Sequence, residues 1–295
     1  MHRWCFYFCA VRPPYITDTF LHQFIAQALA EDVGGGDHTS LAVIPPDSVS
    51  RARLLVKAQG ILAGVEVAQV VFKQVDSSLM LDVRLYDGAA VKPGDVAFTV
   101  QGNSRSILVA ERLVLNIMQR MSGIASYTHK MTRLVEGTKA RLLDTRKTTP
   151  NFRLLEKWAV LIGGGHNHRL GLFDGIMIKD NHIDVAGGVE KAIIRAKDYL
   201  RARNLNLPVE IEVRSLEELD KVLAIGGVDV VMLDNMNVKD MKEAVSRING
   251  RIKTEASGGI TEENIREVAL TGIDYISMGA LTHSARIMDM SMKIF

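Results

Sequence analysis

The chain has 295 residues and a net charge of only +2, which leaves room for one large domain or two ordinary ones. Hydrophobic residues make up 47% and charged residues 24%, a composition that is typical of soluble globular proteins and excludes a disordered polar chain. No uncharged apolar run reaches the ~18 residues of a transmembrane helix. The small net charge and the lack of zinc-finger, RNP or heptad patterns argue against nucleic acid as a partner.

The first residues differ from the rest of the chain. An apolar run extends from Trp4 to Val11, but it has no small-residue cleavage site and is short for a signal peptide. We therefore expect residues 1–15 to be a ragged or misassigned start of a cytoplasmic protein. The two cysteines, Cys5 and Cys9, fit neither a zinc site of known spacing nor a disulfide framework.

Up to about residue 120, helical and extended patterns follow each other without a regular order. Helices are predicted over Ile16–Ala30, Val65–Val75 and Ser104–Arg120. Strands are predicted over Arg51–Ala58, Leu79–Leu85 and Val96–Val100, with a turn at Lys92-Pro93-Gly94-Asp95. Strands and helices that do not alternate strictly predict a small α+β domain.

After residue 120, strands and helices alternate six times. Strands are predicted over Arg141–Thr145, Gly175–Lys179, Pro208–Val213, Val228–Leu233, Ile252–Ala256 and Asp274–Met278. Helices are predicted over Phe152–Ile162, Val189–Arg203 and Val238–Ile248, and two more are predicted to begin at the capping-box sequence Ser215-Leu216-Glu217-Glu218 and at Thr261. Six such repeats with short loops predict a parallel sheet that is covered by helices.

Two arrangements of this sheet are open, a closed or nearly closed barrel and an open doubly wound sheet. A dinucleotide-binding sheet of the second kind carries G-x-G-x-x-G after its first strand, where this chain has Asp144-Thr145-Arg146-Lys147-Thr148. We therefore favour a TIM-like barrel with fewer than eight strands.

Each predicted strand ends in polar or glycine residues. In chain order these ends are Asp144–Lys147, Lys179–His182, Glu212, Asp234-Asn235, Ser257–Gly259 and Ser277–Gly279. Barrels of this type build their active sites on the C-terminal edge of the strands. We interpret this face as functional rather than as merely solvated.

Side-chain alternation predicts which of these charges point inwards. Lys179, Glu212 and Asp234 fall on the strand faces opposite the β-branched residues that should pack on the outer helices. Buried charges are costly unless they are paired or bind a ligand, so these three need one another, a cation or a substrate. Glu212 and Asp234 carry the carboxylates that Mg²⁺ prefers together with substrate oxygens. A closed ion-pair network is the alternative.

The last two strand ends are rich in glycine. Ser257-Gly258-Gly259 is predicted to run straight into a helix N-terminus, and Gly279-Ala280 follows the last strand. Backbone amides at such ends bind phosphate readily. We expect a phosphate group at these two loops.

Cations collect at other strand ends. Arg146 and Lys147 follow the first barrel strand, and His168 and Arg169 follow the run of three glycines at 163–165. The arginine fork is suited to carboxylates. This side of the barrel mouth is therefore predicted to bind a polyanionic organic acid.

Five segments of the chain match one known family. They are Leu143–Pro150 (LDTRKTTP), Gly163–Leu170 (GGGHNHRL), Lys179–His182 (KDNH), Val231–Asn235 (VMLDN) and Glu255–Ile260 (EASGGI). Together with Glu31-Asp32 and Gly123–Ser126, they make the sequence resemble quinolinate phosphoribosyltransferase, also called nicotinate-nucleotide pyrophosphorylase (carboxylating). The resemblance extends from about Ile16 to the end and leaves out only residues 1–15.

The resemblance implies a fold and an assembly. The fold is an incomplete TIM-like α/β barrel with an N-terminal α+β sandwich domain. The implied boundaries are 16–120 for the N-terminal domain, 121–283 for the barrel and 284–295 for a tail that returns to the first domain. The implied assembly is a homodimer or a higher oligomer, in which Arg112 reaches the neighbouring active site.

The resemblance also implies the roles of individual residues. The implied quinolinate-binding residues are Arg112, Thr145, Arg146, Lys147, His168, Arg169 and Lys179. The implied phosphate-binding residues are Ser257, Gly258, Gly259, Gly279 and Ala280. Lys147, Lys179, Glu212 and Asp234 are implied to be catalytic, and the two acids to hold Mg²⁺ through substrate or water. Gly226-Gly227 makes the spacing between the two acids one residue longer than expected, in a loop that should leave both carboxylates in place.

The implied reaction joins quinolinate to phosphoribosyl pyrophosphate and gives nicotinate mononucleotide, pyrophosphate and CO₂, a step of NAD biosynthesis. Three alternatives stay open. A Schiff-base aldolase would use Lys147 or Lys179, but it leaves the cluster of Arg146, His168 and Arg169 unexplained. The others are a paralogue of the same fold that acts on another acid and a non-catalytic sensor of phosphorylated metabolites.

Overall fold

The computed structural model describes residues 12–295, so the two cysteines and most of the segment 1–15 lie outside the described residues. Contacts divide the chain into two compact units. The first comprises the residues up to His129 together with Thr149–Gly164 and Leu281–Phe295, and the second comprises Lys130–Thr148 and Gly165–Ala280. The boundaries implied by the resemblance stay predictions. Within the described range, no helix combines the length and the apolar character that a membrane crossing requires.

Helices and strands follow each other along the whole described chain. The helices are α1 (Asp18–Val33), α2 (His38–Val43), α3 (Val65–Val75), α4 (Ser104–Leu134), α5 (Arg153–Ile162), α6 (Asp180–Ala186), α7 (Val189–Ala202), α8 (Leu216–Ile225), α9 (Val238–Ile248), α10 (Ile265–Ala269) and α11 (Ala280–His283). The strands are β1 (Val49–Val56), β2 (Gly60–Ile61), β3 (Met80–Val83), β4 (Ala90–Val91), β5 (Val96–Asn103), β6 (Arg141–Leu143), β7 (Ile176–Ile178), β8 (Val209–Val213), β9 (Val230–Asp234), β10 (Lys253–Ser257), β11 (Tyr275–Ser277) and β12 (Met290–Ile294).

An antiparallel sheet in the order β12–β1–β5–β3 lies at the centre of the first unit. The last strand of the chain, β12, pairs with β1, and Leu54 stands opposite Met292. Leu54 and Phe98 are fully buried, and Phe98 meets Phe72 of α3 edge to face with ring centroids 5.8 Å apart. The alternating apolar residues of the sheet therefore form one core with α3.

A parallel sheet in the order β6–β11–β10–β9–β8–β7 lies at the centre of the second unit. Its first strand in the chain, β6, pairs with its last, β11, as barrel closure requires. Strands β6 and β7 are not paired with each other among the described residues, and His166 forms a parallel bridge to Leu143 of β6 instead. The predicted fold class, an incomplete TIM-like barrel with an N-terminal α+β domain, is confirmed.

The longest helix differs most from its prediction. Helix α4 ends at Leu134, whereas the sequence pattern predicted an end near Arg120. Gly123 lies inside the helix, where an added Cβ would stand 2.0 Å from the carbonyl oxygen of Arg286. This glycine therefore permits close packing and does not end the helix.

The sequence patterns miss the short elements α2, α6, α11, β2, β4 and β12. A strand of two residues or a helix of one or two turns is too short to show a period. Helix α2 is instead stabilised by its cap, since Oδ1 of Asp37 accepts the backbone N–H of Ser40 at 3.0 Å.

Candidate active site

The C-terminal ends of the parallel strands bring the predicted acids to neighbouring positions. In the strand pairing, Glu212 stands opposite Met232, and Asp234 stands opposite Ser257. Ile211, whose side chain points to the other face of β8, is fully buried. Residues from β8, β9 and β10 therefore meet at one edge of the sheet, as in other barrels with this strand order.

An ion pair joins two of the predicted catalytic residues. The Nζ of Lys179, which follows β7, lies 3.0 Å from Oε1 of Glu212 on β8. The lysine side chain is 46% exposed and the glutamate side chain 11%. The backbone N–H of Lys179 donates to Nδ1 of His182 at 2.9 Å, which fixes the turn from the strand into α6. The pair is thus held on its inner side and open to a ligand on the lysine side.

Asn235 connects the predicted acid Asp234 to the glycine turn after β10. Its Nδ2 donates to Oδ2 of Asp234 at 2.9 Å, and its backbone N–H donates to the carbonyl oxygen of Ser257 at 2.9 Å. Gly258 has a φ of 87°, and an added Cβ would stand 2.2 Å from Oδ1 of Asn235. Glycine is required at this position for both reasons.

The glycine turn after β10 exposes backbone N–H groups, but no long helix follows it. The segment was predicted to run straight into a helix N-terminus, and this is wrong because α10 begins only at Ile265 and has five residues. The side chain of Asn264 closes the turn, since Oδ1 accepts the N–H of Thr261 at 2.8 Å and Nδ2 donates to the carbonyl oxygen of Gly259 at 2.9 Å. Two successive left-handed glycines before it form a turn of the kind whose N–H groups bind anions.

Two arginines form the cationic side of the site. The Nε of Arg146, which follows β6, is buried and has no hydrogen-bond partner within the described chain. The Nη1 of Arg169 donates to the carbonyl oxygen of Gly175 at 2.9 Å. Burial, followed by the positive charge of Arg146, lowers the pKa of Arg169. Two partly buried like charges gain from an anion between them, so this arrangement suits a polyanionic ligand.

His168 lies among buried carboxylates. Its Nε2 is 2.8 Å from Oε2 of Glu210 and 3.7 Å from Oε2 of Glu255. Its Nδ1 accepts the backbone N–H of Arg169 at 2.7 Å. Both ring nitrogens are therefore engaged by protein atoms, and the predicted contact between His168 and quinolinate stays a prediction.

Glu210 and Glu255 are absent from the site that the sequence predicted. The sequence did contain a sign that both belong to the site. Glu210 lies two residues before Glu212, and Glu255 lies two residues before Ser257, so each shares a strand face with a predicted site residue. Burial, followed by the charge of Glu210, raises the pKa of Glu255 to about 8. The ligand-type atoms of both acids and His168 lie within 4.8 Å of one another, but the 2.8 Å contact has the length of a charge-assisted hydrogen bond.

Comparison with known families covers almost all of this architecture. The model of the quinolinate phosphoribosyl transferase N-terminal domain matches residues 37–122, and that of the C-terminal domain matches residues 124–293. The chain belongs to the quinolinate phosphoribosyltransferase family. The resemblance found in the sequence motifs is thereby confirmed.

Relatives of this quinolinate phosphoribosyltransferase family member are similar over most of their length. A tobacco protein named quinolinate phosphoribosyltransferase [decarboxylating] 2b, mitochondrial, is 47% identical over 96% of this chain and 85% of its own length. A Bacillus subtilis protein named probable nicotinate-nucleotide pyrophosphorylase [carboxylating] is 39% identical over 93% of each chain. NadC from Streptococcus pyogenes has a crystal structure that superimposes on this chain with a TM-score of 0.90. Its sequence is 40% identical, and the match covers 95% of this chain and 98% of that one.

The other residues that the quinolinate phosphoribosyltransferase resemblance singled out lie in varied places. Arg112 is exposed on α4 in the first unit. Lys147 is exposed after β6, and its backbone N–H donates to Oγ1 of Thr145 at 3.0 Å. Gly279 and Ala280 lie where β11 passes into the four-residue α11. The roles of these residues stay predictions.

Proposed function

We propose that this chain transfers the phosphoribosyl group of phosphoribosyl pyrophosphate to quinolinate and releases pyrophosphate and CO₂, giving nicotinate mononucleotide for NAD biosynthesis. One observation carries the proposal. In a chain of this family, paired arginines and the lysine–glutamate pair lie at the strand ends of the same unit as a glycine turn and Asp234. Such a site suits one diacid and one sugar phosphate.

The arginines bind the two carboxylates of quinolinate. Arg146 offers a buried Nε without a protein partner, and Arg169 is held in place through Gly175. Lys179 follows β7, and its hydrogen bond to Glu212 limits its movement. Charge-assisted hydrogen bonds from these groups orient the pyridine nitrogen towards the ribose.

The acids serve the sugar and its leaving group. Asp234 and Glu212 offer carboxylate oxygens at neighbouring strand ends, a donor set that fits Mg²⁺ held together with substrate oxygens or water. Held there by Asp234 and Glu212, such an ion would supply neutralisation of the charge on the pyrophosphate. The negative charge of the two residues also favours a cationic ribose carbon, and a well-placed electrostatic group contributes about 3–4 kcal/mol to such a transition state.

Two bonds break and two form in the reaction. The bond between the ribose carbon and pyrophosphate breaks with oxocarbenium character, and the pyridine nitrogen bonds to that carbon and becomes cationic. The cationic nitrogen then stabilises the electron pair left on the adjacent ring carbon when its carboxylate departs as CO₂. That carbon takes up one proton. No covalent enzyme intermediate is needed, because the charge that each step creates is stabilised by a neighbouring group.

No observation favours the other functions considered. A Schiff-base lysine reacts as an uncharged amine, usually in an apolar pocket or beside another cation, whereas the Nζ of Lys179 faces a carboxylate at 3.0 Å. Borohydride in the presence of substrate is therefore expected to trap no adduct on Lys179 or Lys147. A stable adduct would favour the aldolase instead.

Assembly and location remain part of the proposal. We propose a homodimer in which the exposed Arg112 reaches the neighbouring active site. We keep the cytoplasm as the proposed location, although the tobacco relative is named as mitochondrial. Sedimentation equilibrium and fractionation of the source cells test these two points.

The decisive experiment mixes the purified protein with quinolinate, phosphoribosyl pyrophosphate and Mg²⁺ and follows nicotinate mononucleotide by chromatography. Product that depends on both substrates is the expected result. Nicotinate in place of quinolinate is the control for the paralogue hypothesis, and it should give little product because it lacks the second carboxylate. Folded protein that binds both substrates without turnover would instead indicate a sensor.

A further inference from the structure

One partly buried histidine and two buried glutamates form a cluster that the proposed mechanism does not use. Glu210 on β8 is 7% exposed and Glu255 on β10 is 1% exposed. The Nε2 of His168 lies 2.8 Å from Oε2 of Glu210, within hydrogen-bonding distance, and 3.7 Å from Oε2 of Glu255. Buried acids lower the stability of a protein unless they are paired or hydrogen-bonded. Two incompletely paired acids at this place therefore suggest a functional role.

The tautomer of His168 follows from its two contacts. Nδ1 accepts a hydrogen bond from the backbone N–H of Arg169 and therefore carries no proton. The ring proton is on Nε2, which donates to Oε2 of Glu210. The ring is thus fixed at one end by Glu210 and at the other by the main chain of Arg169.

The loop that carries the ring is anchored at a second point. Asp144 is fully buried, and its Oδ1 accepts the backbone N–H of His168 at 2.9 Å. Its Oδ2 accepts from Nδ2 of Asn167 at 2.6 Å. With the main chain held by Asp144 and the ring hydrogen-bonded to Glu210, the start of Arg169 has little freedom to move.

Glu210 also acts on Arg169 through charge, since it lies close enough to stabilise the guanidinium cation. We infer that Glu210 and Glu255 are positioning residues for the quinolinate subsite. Glu210 holds the ring of His168 by a hydrogen bond, Glu255 limits the position of the same ring from 3.7 Å, and the ring in turn positions Arg169. The inference rests on the proposed function, because that function gives Arg169 a carboxylate of quinolinate. Neither glutamate needs to contact the substrate.

The test compares the KM of each substrate in the wild type, Glu255→Leu and Glu255→Gln, with Thr254→Val as the matched control. Thr254 precedes Glu255 on β10, is 2% exposed, and uses its Oγ1 to donate to Asp274 at 2.8 Å on the opposite face. Loss of the buried polar group in Glu255→Leu should raise the KM for quinolinate about tenfold and change the KM for phosphoribosyl pyrophosphate less than about twofold. Glu255→Gln keeps the shape and a hydrogen-bonding group, so it should recover most of the quinolinate affinity. Thr254→Val should not change the ratio of the two KM values.

Several outcomes overturn the inference. Equal changes in both KM values would assign Glu255 a purely structural role, and the same selective change in Thr254→Val would assign it to general damage of β10. If Glu255→Leu does not fold, Glu210→Gln must show the same selective rise in the KM for quinolinate. If the purified wild type holds a stoichiometric metal ion and Glu255→Gln loses it, the cluster is a metal site and the inference is wrong. A wild type that does not turn over quinolinate would contradict the proposed function rather than this inference.

Discussion

Buried carboxylates occur in both units, but their surroundings differ. In the first unit, Glu156 is fully buried and accepts from Nε and Nη2 of Arg120 at 3.0 and 2.7 Å. It also accepts from the backbone N–H and Oγ1 of Thr149 at 3.0 and 2.9 Å. In the second unit, Glu210 and Glu255 each keep one buried oxygen without a hydrogen-bond partner in the described chain.

The difference in hydrogen bonding distinguishes a carboxylate that stabilises the fold from carboxylates that serve a functional site. Glu156 has an arginine and four hydrogen bonds, so its charge is compensated within the protein. Glu210 and Glu255 lie beside one histidine, and burial together with the charge of Glu210 disfavours the ionised form of Glu255, an arrangement that is unfavourable for folding. Incomplete compensation of this kind is typical of functional sites.

The largest expected effect concerns Glu156. Glu156→Ala leaves Arg120 without its buried partner, and breaking a buried pair on one side costs about 3–5 kcal/mol of unfolding free energy. Urea denaturation measures the loss. Glu262→Ala is the control, since Glu262 forms an ion pair with Lys130 whose side chain is 59% exposed, and such a pair contributes less than about 1 kcal/mol. Equal losses would remove the contrast between the two regions.

The next effect concerns pH and Glu255, which faces Glu210 and His168. The folded protein holds the Glu255 proton up to a pKa of about 8, and the unfolded chain releases it near 4.5. Below pH 4.5 both states are protonated and the effect is absent. As pH rises from 4.5 to 8, only the unfolded state loses the proton, so stability falls, by on the order of 4 kcal/mol. Denaturation at pH 5 and pH 8 should show a smaller fall for Glu255→Gln than for the wild type, and parallel falls would contradict this assignment.

A third prediction compares the two substrates at Arg146. Arg146→Ala removes charge-assisted hydrogen bonds worth about 2 kcal/mol, so the KM for quinolinate should rise roughly 30-fold. The KM for phosphoribosyl pyrophosphate should change little. Arg201→Ala serves as control, because Arg201 is 78% exposed on α7. Similar losses for both substrates would remove the assignment of the carboxylate subsite.

The smallest expected effect is a difference in stability loss between alanine substitutions at two glycines with positive φ. Gly258 and Gly250 have φ values of 87° and 72°, but an added Cβ meets Asn235 at Gly258 and no atom within 4 Å at Gly250. Both alanine variants lose about 1 kcal/mol from strained backbone. Gly258→Ala should lose roughly 1 kcal/mol more from the clash and raise the KM for phosphoribosyl pyrophosphate. Thermal unfolding compares the two, and equal losses would mean that Asn235 moves aside freely.

Strong periodicity explains which elements the sequence could predict. Helices Val65–Val75 and Val238–Ile248 begin and end where they were predicted, because their apolar faces are regular and their ends are marked. For the second helix the mark is Asn237, whose side chain accepts the N–H of Asp240. The late start of α10 was not predictable in this way, since Asn264 competes for the backbone groups near Thr261.

The sequence predicted that the site lies at the C-terminal edge of the parallel sheet, but it did not predict which side chains contact one another there. Strand alternation predicted Lys179, Glu212 and Asp234 on the inner face. The strand pairing brings Glu212 and Asp234 to one edge of the sheet, and the inner face of all three stays a prediction. The surroundings of His168 depend on how its loop passes β8 and β10, which no local pattern in the sequence encodes. Glu210 and Glu255 were missed for that reason.

Transfer of phosphoribose coupled to decarboxylation is the central claim, and one labelling experiment tests it most directly. Quinolinate carrying ¹³C in the carboxyl group next to the nitrogen is incubated with the protein, phosphoribosyl pyrophosphate and Mg²⁺. We expect one labelled CO₂ for each nicotinate mononucleotide formed, and none when phosphoribosyl pyrophosphate is left out. Labelled CO₂ without the nucleotide, or a nucleotide that retains the label, would contradict the claim.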